Sequence, residues 1–223
     1  GLSQSDADYA TVMVDCYRQF GLADEHIDAA RNTGNYYRFL VGDLPEVTLI
    51  DDSHQFITKA GCWQVRFDAG HSPGHMSLTD SDRQLHICVD FLLPRISPNI
   101  SAKLRDLNAD MLADYLNYLD GMTHCPADWL IIPGHDWPYY GGGARARQLC
   151  DHHVARLDHL LHMTGTTPIS TNDAILALFP FDMTGHEIFF ASCEARAHLN
   201  HLVTQGRLQH VDAKNGVTLF AKC

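Results

Sequence analysis

Phe67-Asp68-Ala69-Gly70-His71-Ser72-Pro73-Gly74-His75 closes an apolar run that starts at Trp63 and puts two imidazoles into a turn built of Gly and Pro. A strand that ends in a stiff, His-bearing loop can hold a metal ligand still. Two later segments repeat the pattern. Ile87-Cys88-Val89 delivers Asp90, and Trp129-Leu130-Ile131-Ile132-Pro133-Gly134 delivers His135. His71, Asp90 and His135 are separated by 19 and 45 residues, too far for one helix face, so they are expected from separate strand ends. Imidazole and carboxylate are both zinc ligands, and a carboxylate can bridge two metals. One or two divalent ions suit this donor set, zinc first, with iron or manganese accepted by the same chemistry.

Each residue also has a plainer reading. His71 could satisfy turn backbone groups, but its place between two glycines after a strand favours ligation. His75 stands where a new strand begins, and a supporting role behind the ligands suits it better. Asp90 follows an apolar strand, where a carboxylate is costly unless paired. Asp136 could also ligate and ranks below His135. Arg95 lies in the Pro-containing loop after Asp90, where it either binds an anionic substrate group or pairs with a carboxylate. His152, His153, His159 and His162 fall on a helix and carry no site assignment.

The net charge of -11 argues against nucleic acid or an anionic membrane as partner. A small-molecule substrate fits better. No run of about 18 apolar residues is present, and the N-terminus shows neither a basic region nor an apolar signal core. The seven cysteines form no C-x-x-C pair and are odd in number, as expected of reduced thiols in a cytoplasmic protein.

Outward from the central turn, helical spacing predicts a helix over 5–20, capped by Ser5 or Asp6 and stopped by Gly21, and a second from Asp24 to Asn32, ended near Gly34. Tyr36, Tyr37, Phe39 and Leu40 form an aromatic cluster after it. This region, 5–45, reads as a helical hairpin on the body or, more sharply, as an insertion over the substrate. Residues 47–135 read as a sheet of mostly antiparallel hairpins, with strands at 47–50, 55–57, 63–67, 76–78, 86–89 and 129–132. A helix is expected from Asn108 and another over 144–163. A smaller module occupies 166–223: a short helix capped within Thr171-Asn172-Asp173, a helix from Ile188 to Gln205 closed by Gly206, and a hairpin over 208–211 and 217–221. That outline is winged-helix-like. Residues 151–223 hold 5 Lys+Arg against 7 Asp+Glu, a poor composition for a DNA reader. The expected division is 1–165 and 166–223.

The segment Phe67 to His75, the strand-end Asp90 and Pro133-Gly134-His135-Asp136 together resemble the last three metal motifs of metallo-β-lactamase-fold hydrolases, most nearly the glyoxalase II-like members. Leu92-Leu93-Pro94-Arg95-Ile96-Ser97-Pro98-Asn99-Ile100-Ser101 resembles a loop of one bacterial subgroup that also carries a C-terminal winged-helix-like module. The resemblance implies an α+β, four-layer αββα sandwich. It implies His71 on a first metal, Asp90 as bridge and His135 on a second. It also implies hydrolysis of thioesters, lactones, β-lactams or phosphoesters through a metal-bound hydroxide.

The first metal motif of that family, H-x-H-x-D-H, is absent from this sequence. The chain is therefore expected to be the second half of the fold plus the C-terminal module, truncated from a longer polypeptide, with an incomplete site. The apolar sheet face so exposed would need cover from the missing segment or from another copy in a homo-oligomer. The leading function is a metal-dependent hydrolase, impaired or inactive as this chain alone. The alternative is a catalytically silent binding or scaffold protein, and a winged-helix regulator is disfavoured by charge.

Overall fold

The computed structural model describes residues 6–33, 42, 46–212 and 215–223. The cap at Ser5, the stop at Gly34 and the cluster Tyr36, Tyr37, Phe39 and Leu40 lie outside the described residues. The elements in chain order are α1 (Asp6–Phe20), α2 (Asp24–Thr33), β1 (Gln55–Thr58), β2 (Gly61–Asp68), β3 (His75–Asp80), β4 (Leu85–Val89), α3 (Met111–Met122), β5 (Leu130–Pro133), β6 (Tyr139–Tyr140), α4 (Gly142–Thr164), β7 (Ile169–Ser170), α5 (Thr171–Leu178), α6 (Gly185–Thr204), β8 (Leu208–Asp212) and β9 (Thr218–Lys222). They fall into two compact units, one of Thr48–Ser101 and Met111–Ala155, the other of Gly1–Val47, Ala102–Asp110 and Arg156–Cys223.

The first unit is a six-stranded sheet in the order β1-β2-β3-β4-β5-β6. All neighbours are antiparallel except β4 and β5, which run parallel. A parallel pair places two strand ends side by side, here those that carry Asp90 and His135. The ladder register sorts the side chains onto two faces. One face holds Arg66, Ser77, His86, Cys88 and Ile131. Ser77, His86, Cys88 and Ile131 are buried, and Ile131 lies against Gly142 at the start of α4. Tyr118 of α3 bonds His86 through its hydroxyl (3.2 Å) and lies under the Arg66 guanidinium. Leu112, Tyr115, Tyr118 and Leu119 are fully buried, so this helix is held by packing rather than by intrinsic propensity. Truncating one such leucine costs about 2–5 kcal/mol.

The opposite face carries Trp63, Val65, Phe67, Met76, Leu78, Ile87, Leu130 and Ile132 by the same register. Apart from Val65 these side chains are half-buried or exposed. The unit is thus a sheet with helices on one side and an apolar surface on the other.

Gly70 begins the turn between β2 and β3 at φ +135, and a Cβ there would lie 2.6 Å from the Tyr115 Cβ and 2.9 Å from its Cα. The turn is therefore seated on the α3 backbone, and only glycine fits. Two expectations for this region fail. Val47 to Ile50 form no strand, and Val47 and Leu49 are 66% and 93% exposed. β propensity without a neighbouring strand does not make a ladder. The helix predicted from Asn108 starts at Met111. The residues just before it are engaged in the other unit: Asn108 accepts a bond from Arg196 and Asp110 pairs with His201.

The second unit contains α1 with α2, and α5 and α6 beside a three-stranded sheet in the order β7-β9-β8. Strand β7 adds a third strand to the expected hairpin. The cap of α5 is Ser170, one residue ahead of the expected stretch, and it forms a capping box with Asp173. Thr184 and Glu187 do the same for α6. Gly206 ends α6 at φ +68, as expected of a residue just past a helix. Arg196 is buried at 2% exposure. Its guanidinium donates to the Leu107 carbonyl and to Asn200 and Asn108, and it faces the ring of Phe220 at 4.9 Å. Burial lowers its pKa to about 10. Among the described residues no helix is long and apolar enough to cross a membrane.

Candidate metal centre

His71, Asp90 and His135 meet, although they come from three different loops. Nε2 of His71 lies 3.5 Å from one Asp90 carboxylate oxygen, and Nε2 of His135 lies 3.5 Å from the other. Both separations exceed a hydrogen bond. They match the edge of a coordination tetrahedron, since two ligands about 2.1 Å from one ion stand about 3.4 Å apart.

The His71 ring explains why a cation suits the gap. Its Nδ1 is 2.8 Å from the Asn99 carbonyl, which can only accept. Nδ1 therefore carries the proton, and in the neutral ring Nε2 presents a lone pair to the carboxylate. Two lone pairs facing each other are unfavourable until a positive charge stands between them. Each histidine thus forms with Asp90 a pair whose donor types and spacing suit a divalent ion. Among the described residues, however, no group of three or more His, Cys, Asp and Glu side chains is arranged to hold an ion by itself. These observations agree: the triad is two donor pairs that share Asp90, each of which needs further donors. The side chains of His71 and Asp90 are 29% and 28% exposed and that of His135 is 67% exposed, so the site opens to solvent on the His135 side.

The backbone around the triad is strained. Val89, just before Asp90, has φ 45, and Asp136, just after His135, has φ 65. A β-branched residue in that region is costly, and such strain clusters at functional sites. Gly134 makes room between them: a Cβ on it would lie 2.3 Å from an Asp90 carboxylate oxygen and 3.0 Å from a Val89 methyl. Its amide donates to the Val89 carbonyl at 2.8 Å.

His75 stays out of the triad. It is buried, its Nε2 lies 3.0 Å from the Cys88 carbonyl, and its ring stacks on Phe91 at 3.8 Å. It thus touches the residues on both sides of the Val89–Asp90 pair, and burial lowers its pKa. Arg95 is exposed, and among the described residues no contact brings it to the triad.

The loop after Asp90 is held mainly through its carbonyls, a restraint with no signature in the sequence. Tyr115 donates to the Phe91 carbonyl (2.9 Å), Tyr139 to that of Leu92 (3.0 Å), and Arg145 to those of Leu93 (2.7 Å) and Ile96 (2.9 Å). His71 takes Asn99. In the sequence Tyr115 falls on the helix expected from Asn108 and Arg145 on the helix expected over 144–163, while Tyr139 falls in no expected element. Only the apolar Phe91-Leu92-Leu93 run hints that this loop turns inward.

The solved structure of a β-lactamase domain protein from Burkholderia ambifaria superposes with a TM-score of 0.88 at 31% identity, covering 93% of this chain and 60% of that one. A metallo-β-lactamase family protein from Thermus thermophilus superposes with a TM-score of 0.72 at 23% identity, covering 93% of this chain and 62% of that one. A comparison with curated proteins gives no match. The chain thus has the metallo-β-lactamase fold and spans about three-fifths of the length of these solved relatives. Residues 157–223 match the family described as the metallo-β-lactamase-like C-terminal domain.

Proposed function

We propose that this chain provides the bridging part of the metal centre of a glyoxalase II-like hydrolase that cleaves an ester, thioester or lactone. The observation that carries the reading is the placement of His71 and His135 at equal distances from the two oxygens of Asp90. His71 would hold one metal and His135 a second, with Asp90 shared, and zinc is the first candidate for such donors, ahead of iron or manganese. A bound divalent metal supplies a nucleophilic water at neutral pH and polarises the scissile carbonyl. The chain's own residues do the rest. Asn99 fixes the protonated nitrogen of His71, Gly134 leaves space for the Asp90 carboxylate, and His75 secures the end of β4. Arg95, exposed in the following loop, suits an anionic group of a small-molecule substrate. All seven cysteines are free, which supports a reducing, cytoplasmic setting.

Titration of the intact polypeptide with zinc and manganese tests the metal reading. Binding that is lost in His71→Ala, Asp90→Ala and His135→Ala alike is expected, and binding that none of the three weakens would overturn it. A thioester and lactone panel tests the chemistry. A second reading, a catalytically silent binding or scaffold protein, draws support from the open donor set. Metal binding without turnover of any panel member would favour it.

A further inference from the structure

We infer that Arg145 is a positioning residue for the candidate metal centre, acting through the loop that links Asp90 to Asn99. This deepens the function proposed above and rests on it only for the roles of metal and substrate. Its structural half stands on hydrogen bonds alone.

The loop leaves β4 at Asp90, and Phe91, Leu92 and Leu93 enter the core at 0–2% exposure. Its next residues, Pro94 to Asn99, belong to no strand or helix. Buried backbone carbonyls need donors, and the chain supplies side chains instead of a ladder. Tyr115 and Tyr139 serve the first two carbonyls. The half-buried Arg145 serves two more, one part-buried and one at the surface: Nε reaches Leu93 and a terminal nitrogen reaches the exposed Ile96. One planar guanidinium thereby fixes the distance between two carbonyls three residues apart. Pro94 and Arg95 form the bridge between those two points.

Two consequences converge on the site. The first concerns His71. Its proton is held on Nδ1 by the Asn99 carbonyl, and Asn99 lies three residues beyond the clamped Ile96, across Ser97 and Pro98. A loop released at Leu93 and Ile96 lets that carbonyl drift, and the ring is then free to take its other tautomer or to turn. The second concerns Arg95, which the clamp displays outward on a fixed bridge rather than on a loose strap. Lysine cannot replace Arg145, because a single ammonium does not reproduce a rigid fork aimed at two acceptors.

The test uses the intact 223-residue polypeptide without added metal. Histidine 15N chemical shifts, recorded above the imidazole titration range, report which nitrogen of His71 is protonated. Amide hydrogen exchange reports the loop. Arg145→Met should move His71 from the Nδ1-protonated form to a mixture. It should also raise exchange of the amides of Leu93, Arg95, Ile96, Ser97 and Asn99 roughly ten- to hundredfold, the loss expected for charge-assisted bonds, while β2 and β3 keep their protection. Arg145→Lys should fall between. Tyr139→Phe, which takes from the Leu92 carbonyl one of its two donors and leaves it the Cys88 thiol, should leave the His71 tautomer intact.

An unchanged His71 tautomer in Arg145→Met would overturn the inference. So would an equal loss of protection across the whole sheet, which would mark a merely structural role. If Arg145→Met does not fold, Arg145→Lys and Tyr139→Phe decide between the same outcomes. A polypeptide that binds no metal yet shows the tautomer change supports the clamp while sinking the metal reading. Metal binding with no tautomer change does the reverse.

Discussion

Gly134→Ala isolates what the space around Asp90 contributes. A Cβ at this position would stand 2.3 Å from an Asp90 carboxylate oxygen, about 1 Å closer than carbon and oxygen tolerate. The next contacts, a Val89 methyl at 3.0 Å and the Val89 carbonyl carbon at 3.3 Å, leave the new methyl little freedom. Gly134 does not adopt a left-handed backbone, so alanine is tolerated by the chain itself and the clash must be relieved by the carboxylate. That oxygen is the one facing His135 at 3.5 Å, and a shift of about 1 Å takes it off the coordination edge. Losses of ten- to hundredfold in metal affinity are usual when a ligand's support is removed, which is about 1.4–2.7 kcal/mol. Folding stability should change by less than about 1 kcal/mol, since alanine also restricts the unfolded chain. The assay is competitive metal titration against a chromophoric chelator, paired with urea unfolding. Gly185→Ala, where a Cβ meets nothing within 4 Å, is the control. Unchanged metal affinity in Gly134→Ala would refute the assignment of Asp90 as a shared ligand.

Acid should destabilise the fold through His86. Burial lowers its pKa from 6.5 to about 4, so the neutral ring is favoured by folding, and its contribution is complete above pH 6.5 and lost as pH falls towards 4. The difference is on the order of 3 kcal/mol, measurable as a pH-dependent urea midpoint that His86→Gln flattens. Gly70→Ala should cost more than about 3 kcal/mol, because it combines a forbidden φ with a clash on the Tyr115 backbone, and its thermal midpoint should fall accordingly. Ser170→Ala removes the α5 capping box and should cost about 0.5–2 kcal/mol in urea unfolding, with metal affinity untouched. The half-buried face of the six-stranded sheet should bind an apolar fluorescent dye in the folded state, and Leu78→Lys should reduce that signal.

The hairpins β1 to β4 and both long helices of the site-bearing unit are legible in the sequence because alternation and turn residues act locally. So is the meeting of His71, Asp90 and His135, since each follows its own apolar strand. The start of α3 is not, because Asn108 and Asp110 serve distant partners on α6, which no local pattern records. The caps of α5 and α6 rest on a reciprocal acidic residue three positions on, Asp173 and Glu187, which apolar periodicity does not register. The carbonyl-by-carbonyl restraint of the loop after Asp90 is invisible for a deeper reason. Its donors, Tyr115, Tyr139 and Arg145, are spread over three elements, and their spacing along the chain bears no relation to the spacing of the carbonyls they serve.

The parallel seam between β4 and β5 also bears on when the centre can exist. The hairpins of β1 to β4 close over short turns, but Leu85 must find Leu130 across 45 residues. Closing such a loop costs about 3 kcal/mol in chain entropy before any contact rewards it, and non-local pairings of this kind slow folding. His71 and Asp90 can therefore be in place while His135 is still unattached, and the centre would be completed in the last act of folding rather than built into the first.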